Sequence, residues 1–273
     1  MSKKYNPIEN IQRIALKRLY NTRDLGGFIT EDGKTIKNGV LFRSGRLADL
    51  PKSTKDFLEN VGVKAVVDLR LETERNEHPD TVLKDCNYVF CPLVCTATPG
   101  ITYENKMRKT MENEAKILAA NYETVDAYMI EMYRQMVSDE SSITALKGFF
   151  NTLLSTDGAV VFHCNSGKDR VGICSMLLES LLGVSESDII KDYVASRVFC
   201  RKKFFWYRTG LVIAPISFKL KKILFMMMRV KEVYITSAMD YLKQTYGSVN
   251  EFCFKALGLT RSDVDILKQK YLE

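Results

Sequence analysis

The sequence predicts an α/β fold in a single domain: a mostly parallel central sheet of four or five strands flanked by helices, with a helical C-terminal half. Three observations predict it. Short β-branched runs alternate with segments of helical period, the pattern of a parallel sheet covered on both faces. The apolar run Val160-Val161-Phe162 ends in His163-Cys164, and apolar residues resume at helical spacing after Arg170. That reads as strand, tight loop, helix. The chain has 273 residues, 46% of them apolar, enough to bury a core, and it shows no internal repeat, low-complexity tract or Gly/Ser linker.

The elements follow in order. Residues 40–43 form a short apolar strand that ends in Arg43. Residues 53–61 read as a helix, with Ser53 or Thr54 as cap and Phe57, Leu58 and Val61 at helical spacing. Residues 64–69 are a β-branched run and 88–91 a second one, each short enough for a buried strand. From 103 to 137 the pattern is helical, with Tyr122, Val125, Tyr128, Met129 and Met132 on one face. Residues 142–154 form another amphipathic helix through Ile143, Leu146, Phe150 and Leu153. Residues 159–162 are the strand that feeds the loop, and 173–182 are its helix, closed by Gly183 as C-cap. Helices over 185–194, 235–246, 248–257 and 261–272 complete the chain. Arg43, Asp68, Arg70 and Cys164 all follow apolar runs. In open α/β sheets ligands gather outside the C-terminal strand ends, so three strand ends are expected at one cavity.

The loop from Cys164 to Arg170 carries the chemistry. A free cysteine has a pKa of about 8.5, and a helix N-terminus with nearby cations can bring it to about 3.5–7.5. Cys164 is placed for both influences. The backbone amides of Asn165, Ser166, Gly167, Lys168, Asp169 and Arg170 can form an anion-binding nest at the start of the helix. Arg170 adds a planar fork that matches two phosphoryl oxygens. Gly167 allows a backbone conformation that a side chain would resist. Such a loop can bind a phosphate dianion and attack it with sulfur. A thiolate needs no base, so His163 is expected to anchor the loop through a hydrogen bond.

His163-Cys164 followed by Arg170 resembles the signature of cysteine-dependent tyrosine and dual-specificity phosphatases. The stretch from His163 to Gly172, with Gly167-Lys168-Asp169-Arg170 inside it, is similar to one bacterial branch. That branch comprises tyrosine and lipid phosphatases typified by a secreted mycobacterial tyrosine phosphatase. Other segments resemble the same branch: Asn21-Thr22-Arg23-Asp24-Leu25-Gly26-Gly27, Arg43-Ser44-Gly45, Asp68-Leu69-Arg70 with Glu74 and Pro79, Tyr246-Gly247-Ser248, and Leu257-Gly258-Leu259. The resemblance runs in order from about residue 20 to 272. It implies hydrolysis of phosphate monoesters through a phosphocysteine. The substrates it implies are phosphotyrosine, with phosphoserine, phosphothreonine and phosphoinositides as further classes, and it implies no metal or organic cofactor.

The resemblance also implies roles. Asp169 is the expected general acid, because Trp206 is the only tryptophan and no Trp-Pro-Asp loop exists. Asp24 and Asp68 are its alternatives for that role. Asp169 could otherwise cap the helix or pair with Arg23. Lys168 is expected to meet a neighbouring phosphate of the substrate. Arg23, Asp24, Arg43, Ser44 and Arg46 are expected to brace the loop. Val171 departs from the pattern, since a Ser or Thr commonly follows the arginine and hydrogen-bonds the sulfur. Its shape is that of threonine without the hydroxyl, which bears on turnover.

Composition narrows the setting. The net charge is +7, suited to a protein that handles anions. Residues 199–235 hold nine Lys or Arg and one acid, Glu232, mixed with Phe204, Phe205, Trp206, Tyr207, Leu211, Val212 and Ile213. The segment reads as a lid-like helical insertion, with inert packing or an anionic membrane surface as the other readings. No nucleic acid partner is expected. The N-terminus lacks the apolar stretch of a signal peptide, and seven cysteines cannot all pair. A cytoplasmic location is expected, with export lacking a cleaved signal left open. Cys86, Cys91 and Cys95 are close in sequence, but their spacing is not that of a zinc site. The rival readings are a phosphate-binding module without turnover, a basic membrane- or nucleic-acid-binding protein, and a rhodanese-type transferase. Arg170 and the ordered flanking motifs weigh against the last.

Overall fold

The computed structural model describes residues 11–93 and 123–273. Six strands form one sheet: β1 (Gln12–Arg13), β2 (Arg23–Asp24), β3 (Leu41–Ser44), β4 (Val63–Asp68), β5 (Asn87–Phe90) and β6 (Ala159–His163), in the order β1-β2-β3-β6-β4-β5. The four strands read from the sequence, β3 to β6, pair parallel. β1 and β2 add a short antiparallel edge. Two residues each carry no period that a pattern could show.

Side-chain alternation splits the core in two. Leu41, Ala65, Val67, Val160 and Phe162 join the larger apolar cluster, and Phe42, Val63, Val66, Ala159 and Val161 join the smaller. This is the period-two signature of strands buried on both faces. Helix α1 (Lys52–Asn60) sends Leu58 into the smaller cluster. The larger one is built against α3 (Val125–Gln135), α4 (Glu140–Ser155), α5 (Asp169–Leu182), α6 (Glu186–Phe199) and α9 (Glu232–Tyr246). Helix α2 (Glu72–Glu77) follows β4, and α10 (Val249–Lys255) and α11 (Arg261–Tyr271) close the chain. Between α6 and α9 lie α7 (Arg201–Ile213) and α8 (Phe218–Met227), so residues 199–235 are a helical pair.

Helix α5 is the central one. From residue 171 to 182 every side chain except that of Ser180 is buried, hence its apolar character all round. Gly183 ends it at φ 92, as the C-cap glycine predicts. The helix begins at Asp169, four residues before the apolar period becomes visible at Ile173.

Two details depart from expectation. Helix α1 starts after Pro51, whose side chain offers no acceptor to the first amides; Pro51 O accepts from Thr54 N (2.9 Å) and Lys55 N (3.0 Å) instead. The hydroxyl of Thr54, one of the expected caps, instead donates to Lys17 O at 3.0 Å. The helix expected over 103–137 is seen as α3, with Thr124 as cap. Its earlier part lies outside the described residues, as do Cys95 and the first ten residues. No helix among the described residues is long and apolar enough to cross a membrane.

Candidate active site

The sheet register sets the site. Ser44 pairs with His163, and His163 pairs with Asp68, so β3, β6 and β4 end side by side. Cys164 follows His163 at the end of the middle strand and is buried. Asp169 and Arg170 open helix α5, whose first amides have no intrahelical acceptor.

The carbonyls of the loop are tied outward. Asn165 O accepts from Arg46 N (3.3 Å) and Lys203 Nζ (2.6 Å). Ser166 O accepts from Asn21 Nδ2 (3.2 Å) and Cys200 Sγ (3.6 Å). Gly167 O accepts from Asn21 Nδ2 (2.6 Å) and an Arg43 guanidinium nitrogen (3.1 Å). In a trans peptide the N–H points opposite to the C=O. Pinning these three oxygens to the scaffold therefore turns the amides of Ser166, Gly167 and Lys168 toward the concave side. Gly167 has φ +62, and a Cβ there would lie 2.5 Å from Ser44 C and O. No other residue fits that close approach to β3.

Arg170 is aimed by Glu74. Its two terminal nitrogens donate to Glu74 Oε2 (2.5 Å) and Oε1 (2.9 Å), and one also donates to Leu69 O (3.3 Å). Burial works against the Arg170 charge, and the Glu74 carboxylate outweighs it, raising the pKa. Burial would raise the Glu74 pKa, but Arg170 holds it below the usual carboxylate range.

His163 is fully buried, and its Nε2 lies 2.8 Å from Asp80 Oδ2. Burial disfavours the imidazolium, yet Asp80 and Asp68 together raise its pKa. Arg70 donates to Asp68 Oδ1 and Oδ2 (2.8 Å each) and to Asp80 Oδ1 (2.9 Å). The Arg70 guanidinium, the His163 ring and two carboxylates thus lock the base of the loop. Asp68, Asp80 and His163 are also the one group among the described residues with ligand atoms close enough for a metal. The Arg70 guanidinium already supplies the positive charge between those carboxylates.

A second buried network braces the other side. Asp192 on α6 accepts from Arg23 Nε (2.6 Å) and from Arg43. Arg23 also donates to Asn21 Oδ1 (2.7 Å), while Arg43 reaches Gly167 O. Arg43 thus touches the loop directly, Arg23 reaches it through Asn21 and Asp192, and Asp68 lies beneath it with Arg70. Asp24 is one step further away, accepting from the amides of Gly26 (2.9 Å) and Gly39 (2.6 Å).

Asp169 pairs with neither Arg23 nor the helix cap position, which Lys168 occupies. Its Oδ1 accepts from Tyr133 Oη (2.6 Å) and lies 3.3 Å from Lys168 Nζ. Lys168, expected over the substrate, is buried, and its Nζ donates to Met227 O (2.8 Å) and Arg229 O (3.1 Å) at the end of α8. In the other direction Lys203 of α7 reaches Asn165 O and Ser166 Oγ (3.2 Å). Burial pushes Lys203 down to about 8, partly opposed by Cys200 and Cys164. Two lysines therefore join the loop to residues 199–235. Among the thiols expected to neighbour one another, burial pushes Cys86 and Cys91 up to about 11.

Sequence reasoning did not assign roles to Glu74, Asp80, Asp192, Tyr133, Asn21 or Lys203. Asn21 and Glu74 lie inside the motifs. Asp192 had one usable signal, as a lone acid in the apolar run Ile189-Ile190-Lys191-Asp192-Tyr193-Val194.

The chain is similar to known phosphatases. A protein of Cupriavidus necator, named by inference a tyrosine-protein phosphatase, is 26% identical over 95% of this chain and 88% of its own. Triple specificity protein phosphatase PtpB of Mycobacterium tuberculosis is 23% identical over 91% of this chain and 95% of its own. Solved P. aeruginosa TpbA is 13% identical, and the match covers 80% of this chain and 96% of that chain with a TM-score of 0.31. The model of the tyrosine phosphatase family matches residues 14–273. With that match spanning both the loop and the residues that aim it, the chain belongs to the tyrosine phosphatase family, and its activity is that of a protein tyrosine phosphatase.

Proposed function

We propose that the chain hydrolyses phosphate monoesters through a phosphocysteine on Cys164. Its substrates are phosphotyrosine and, as the motifs of the signature loop and its flanks imply by resemblance, also phosphoserine, phosphothreonine and phosphoinositides. The observation that carries this reading is the loop itself: Cys164 at a helix N-terminus, outward-tied carbonyls, and Arg170 held in a bidentate grip by Glu74.

In the first step the Cys164 sulfur attacks phosphorus in line. The S–P bond forms as the ester P–O bond breaks, and the leaving oxygen takes a proton from Asp169. Loop amides and Arg170 hold the equatorial oxygens of a loose transition state. In the second step water attacks phosphorus and gives its proton to Asp169. The S–P bond breaks and releases inorganic phosphate. Asp169 is favoured as the acid because it lies within the loop and only its Oδ1 is engaged, by Tyr133 and Lys168, whereas both oxygens of Asp24 are taken by backbone amides and both of Asp68 by Arg70. Val171 is fully buried and offers no hydroxyl to the departing sulfur, so phosphocysteine breakdown is the slow step.

Residues 1–273 form one catalytic domain, in which 199–235 is the lid, fastened by Lys168 and Lys203. Its outer face exposes Phe205, Trp206, Val212, Ile213 and Phe218 among Lys and Arg. That composition supports contact with an anionic membrane surface.

The test is para-nitrophenyl phosphate turnover. A burst of nitrophenol ahead of a slow steady state is expected. Cys164→Ser abolishes turnover and keeps phosphate binding. Vanadate inhibits competitively, and a metal chelator leaves activity intact. Turnover by Cys164→Ser at a tenth of the wild-type rate or more, or activity lost to chelation and restored by a divalent metal, would sink the mechanism.

A further inference from the structure

A cavity of about 430 Å³ lies between α7 and the segment that joins α8 to α9. None of its lining residues belongs to the phosphate loop. Five cations line it, Arg197, Arg201, Arg208, Arg229 and Lys231, with no carboxylate among the lining residues. Phe204, Phe205, Met228 and Val230 supply apolar wall.

The charge is poorly matched from within. Arg197 Nε donates to Val230 O (2.7 Å), and Lys231 pairs with Asp126 at 2.5 Å. Asp126 also feels Arg229. Arg201 and Arg208 form no ion pair among the described residues, and both are exposed. Like charges that converge on one concavity repel, and an anion seated there relieves that repulsion. Arginine is the side chain best shaped to grip phosphoryl oxygens two at a time. The volume lies in the range of small-ligand sites. Cations from separate elements around one cavity match a ligand with more than one phosphate better than a single phosphomonoester. The apolar wall suits the ring that would carry them.

We infer that this cavity is a second, non-catalytic anion site that takes a small ring bearing two or more phosphates. Such a group could arrive as a soluble polyol phosphate or as the headgroup of a lipid. The cavity also abuts the signature loop from behind: Lys168 bonds to Met227 O and Arg229 O, and its Nζ lies 6.0 Å from the Phe204 ring centroid. A ligand that moves Arg229 or Phe204 therefore moves the partners of Lys168.

The experiment uses the full chain with vanadate saturating the phosphate loop. Inositol 1,4,5-trisphosphate is titrated by calorimetry into wild type, Arg201→Gln/Arg208→Gln and Lys219→Gln/Lys222→Gln. The second pair removes the same charge from exposed lysines of α8 that do not line the cavity. One equivalent should bind wild type and the lysine variant alike. The arginine variant should lose affinity by about tenfold or more, the scale of losing charge-assisted phosphate contacts. Nitrophenyl phosphate turnover should stay near wild type in both variants, which also shows that they fold. A second arm replaces the soluble probe with phosphatidylcholine vesicles containing phosphatidylinositol 4,5-bisphosphate. An arginine-dependent loss in either arm supports the site, and the arm with tighter binding names the source. Failure of the loaded wild type to bind either probe overturns the inference. So does an equal loss in both double variants, because diffuse charge then explains the binding. Turnover is read separately, so a chain that binds but does not hydrolyse would count against the catalytic reading alone.

Discussion

Glu74→Gln isolates the residue that aims Arg170 without touching the reacting atoms of the proposed mechanism. Glu74 is 3% exposed and grips Arg170 at 2.5 and 2.9 Å. Removing one partner of a buried ion pair typically costs about 3–5 kcal/mol, because the other charge is left unpaired. Glutamine keeps the shape and one acceptor oxygen, and Arg170 keeps Leu69 O, so a loss of about 2–3 kcal/mol is expected. In a chain of this size that lowers the melting temperature by about 5–10 °C. A guanidinium released from its grip no longer meets two phosphoryl oxygens together, and kcat should fall by about ten- to a hundredfold. The pH dependence follows from the sign of the shift. The folded Glu74 pKa lies below its unfolded value, so the pair's contribution is complete above the unfolded carboxylate pKa and is lost as pH falls through the folded one. Glu74→Gln should therefore flatten the acid limb of a melting-temperature profile. Thermal scans across acid pH and nitrophenyl phosphate kinetics at neutral pH read both effects. Wild-type kcat with an unchanged acid limb would refute the claim that Glu74 holds Arg170 in place.

Three further outcomes are expected. Asp169→Asn should slow alkyl phosphates far more than nitrophenyl phosphate, because only a poor leaving group needs the proton. Equal losses in steady-state kinetics would return the acid role to Asp24 or Asp68. Gly167→Ala should destabilise the fold by about 2–4 kcal/mol through the positive φ and the crowding against β3, and should abolish vanadate binding. A soluble variant with normal affinity for vanadate contradicts the loop geometry. Lys203, held near 8 by burial, has a folded pKa below its unfolded one, so the folded state binds fewer protons and the penalty fades as pH rises. Urea unfolding of wild type and Lys203→Met should show their stability gap shifting by about 2–3 kcal/mol in favour of wild type from pH 7 to 10. A constant gap would place the Lys203 ammonium in water.

What was legible in the sequence had a local cause. Strands β3, β4 and β6 are visible because burial on both faces demands apolar runs, whereas the run over 88–91, read as a buried strand, forms the exposed sheet edge β5. The loop is visible because cysteine, glycine and arginine must fall within one turn of a helix start. The Gly183 cap is visible because only a left-handed residue ends α5 there. What was hidden depends on partners distant in sequence. Nothing around Asp192 says that it will meet Arg23 and Arg43, 169 and 149 residues away in the chain. Lys168 looks like a surface cation until α8 brings the carbonyls of Met227 and Arg229 to it. Helix α2 spans only six residues and has too few turns for an apolar period.

The tethered carbonyls bear on the order of events at the site. Anion affinity at the loop comes from its amides, but their direction is set on the far side of each peptide by Asn21, Arg43 and Lys203. Arg43 lies on β3 inside the sheet and Asn21 just before β2, and both are buried. Lys203 belongs to α7 and reaches Asn165 O from the proposed lid. Removing that contact would leave Asn165 O with the longer bond from Arg46 N alone. A lid that opens would therefore both uncover the cysteine and loosen the peptide that presents the Ser166 amide. Closure and phosphate binding then stabilise each other, as linkage requires of two events that share one peptide plane. Vanadate should accordingly protect α7 amides from hydrogen exchange in wild type and protect them much less in Lys203→Met. Equal protection in the two would show that the lid and the loop move independently.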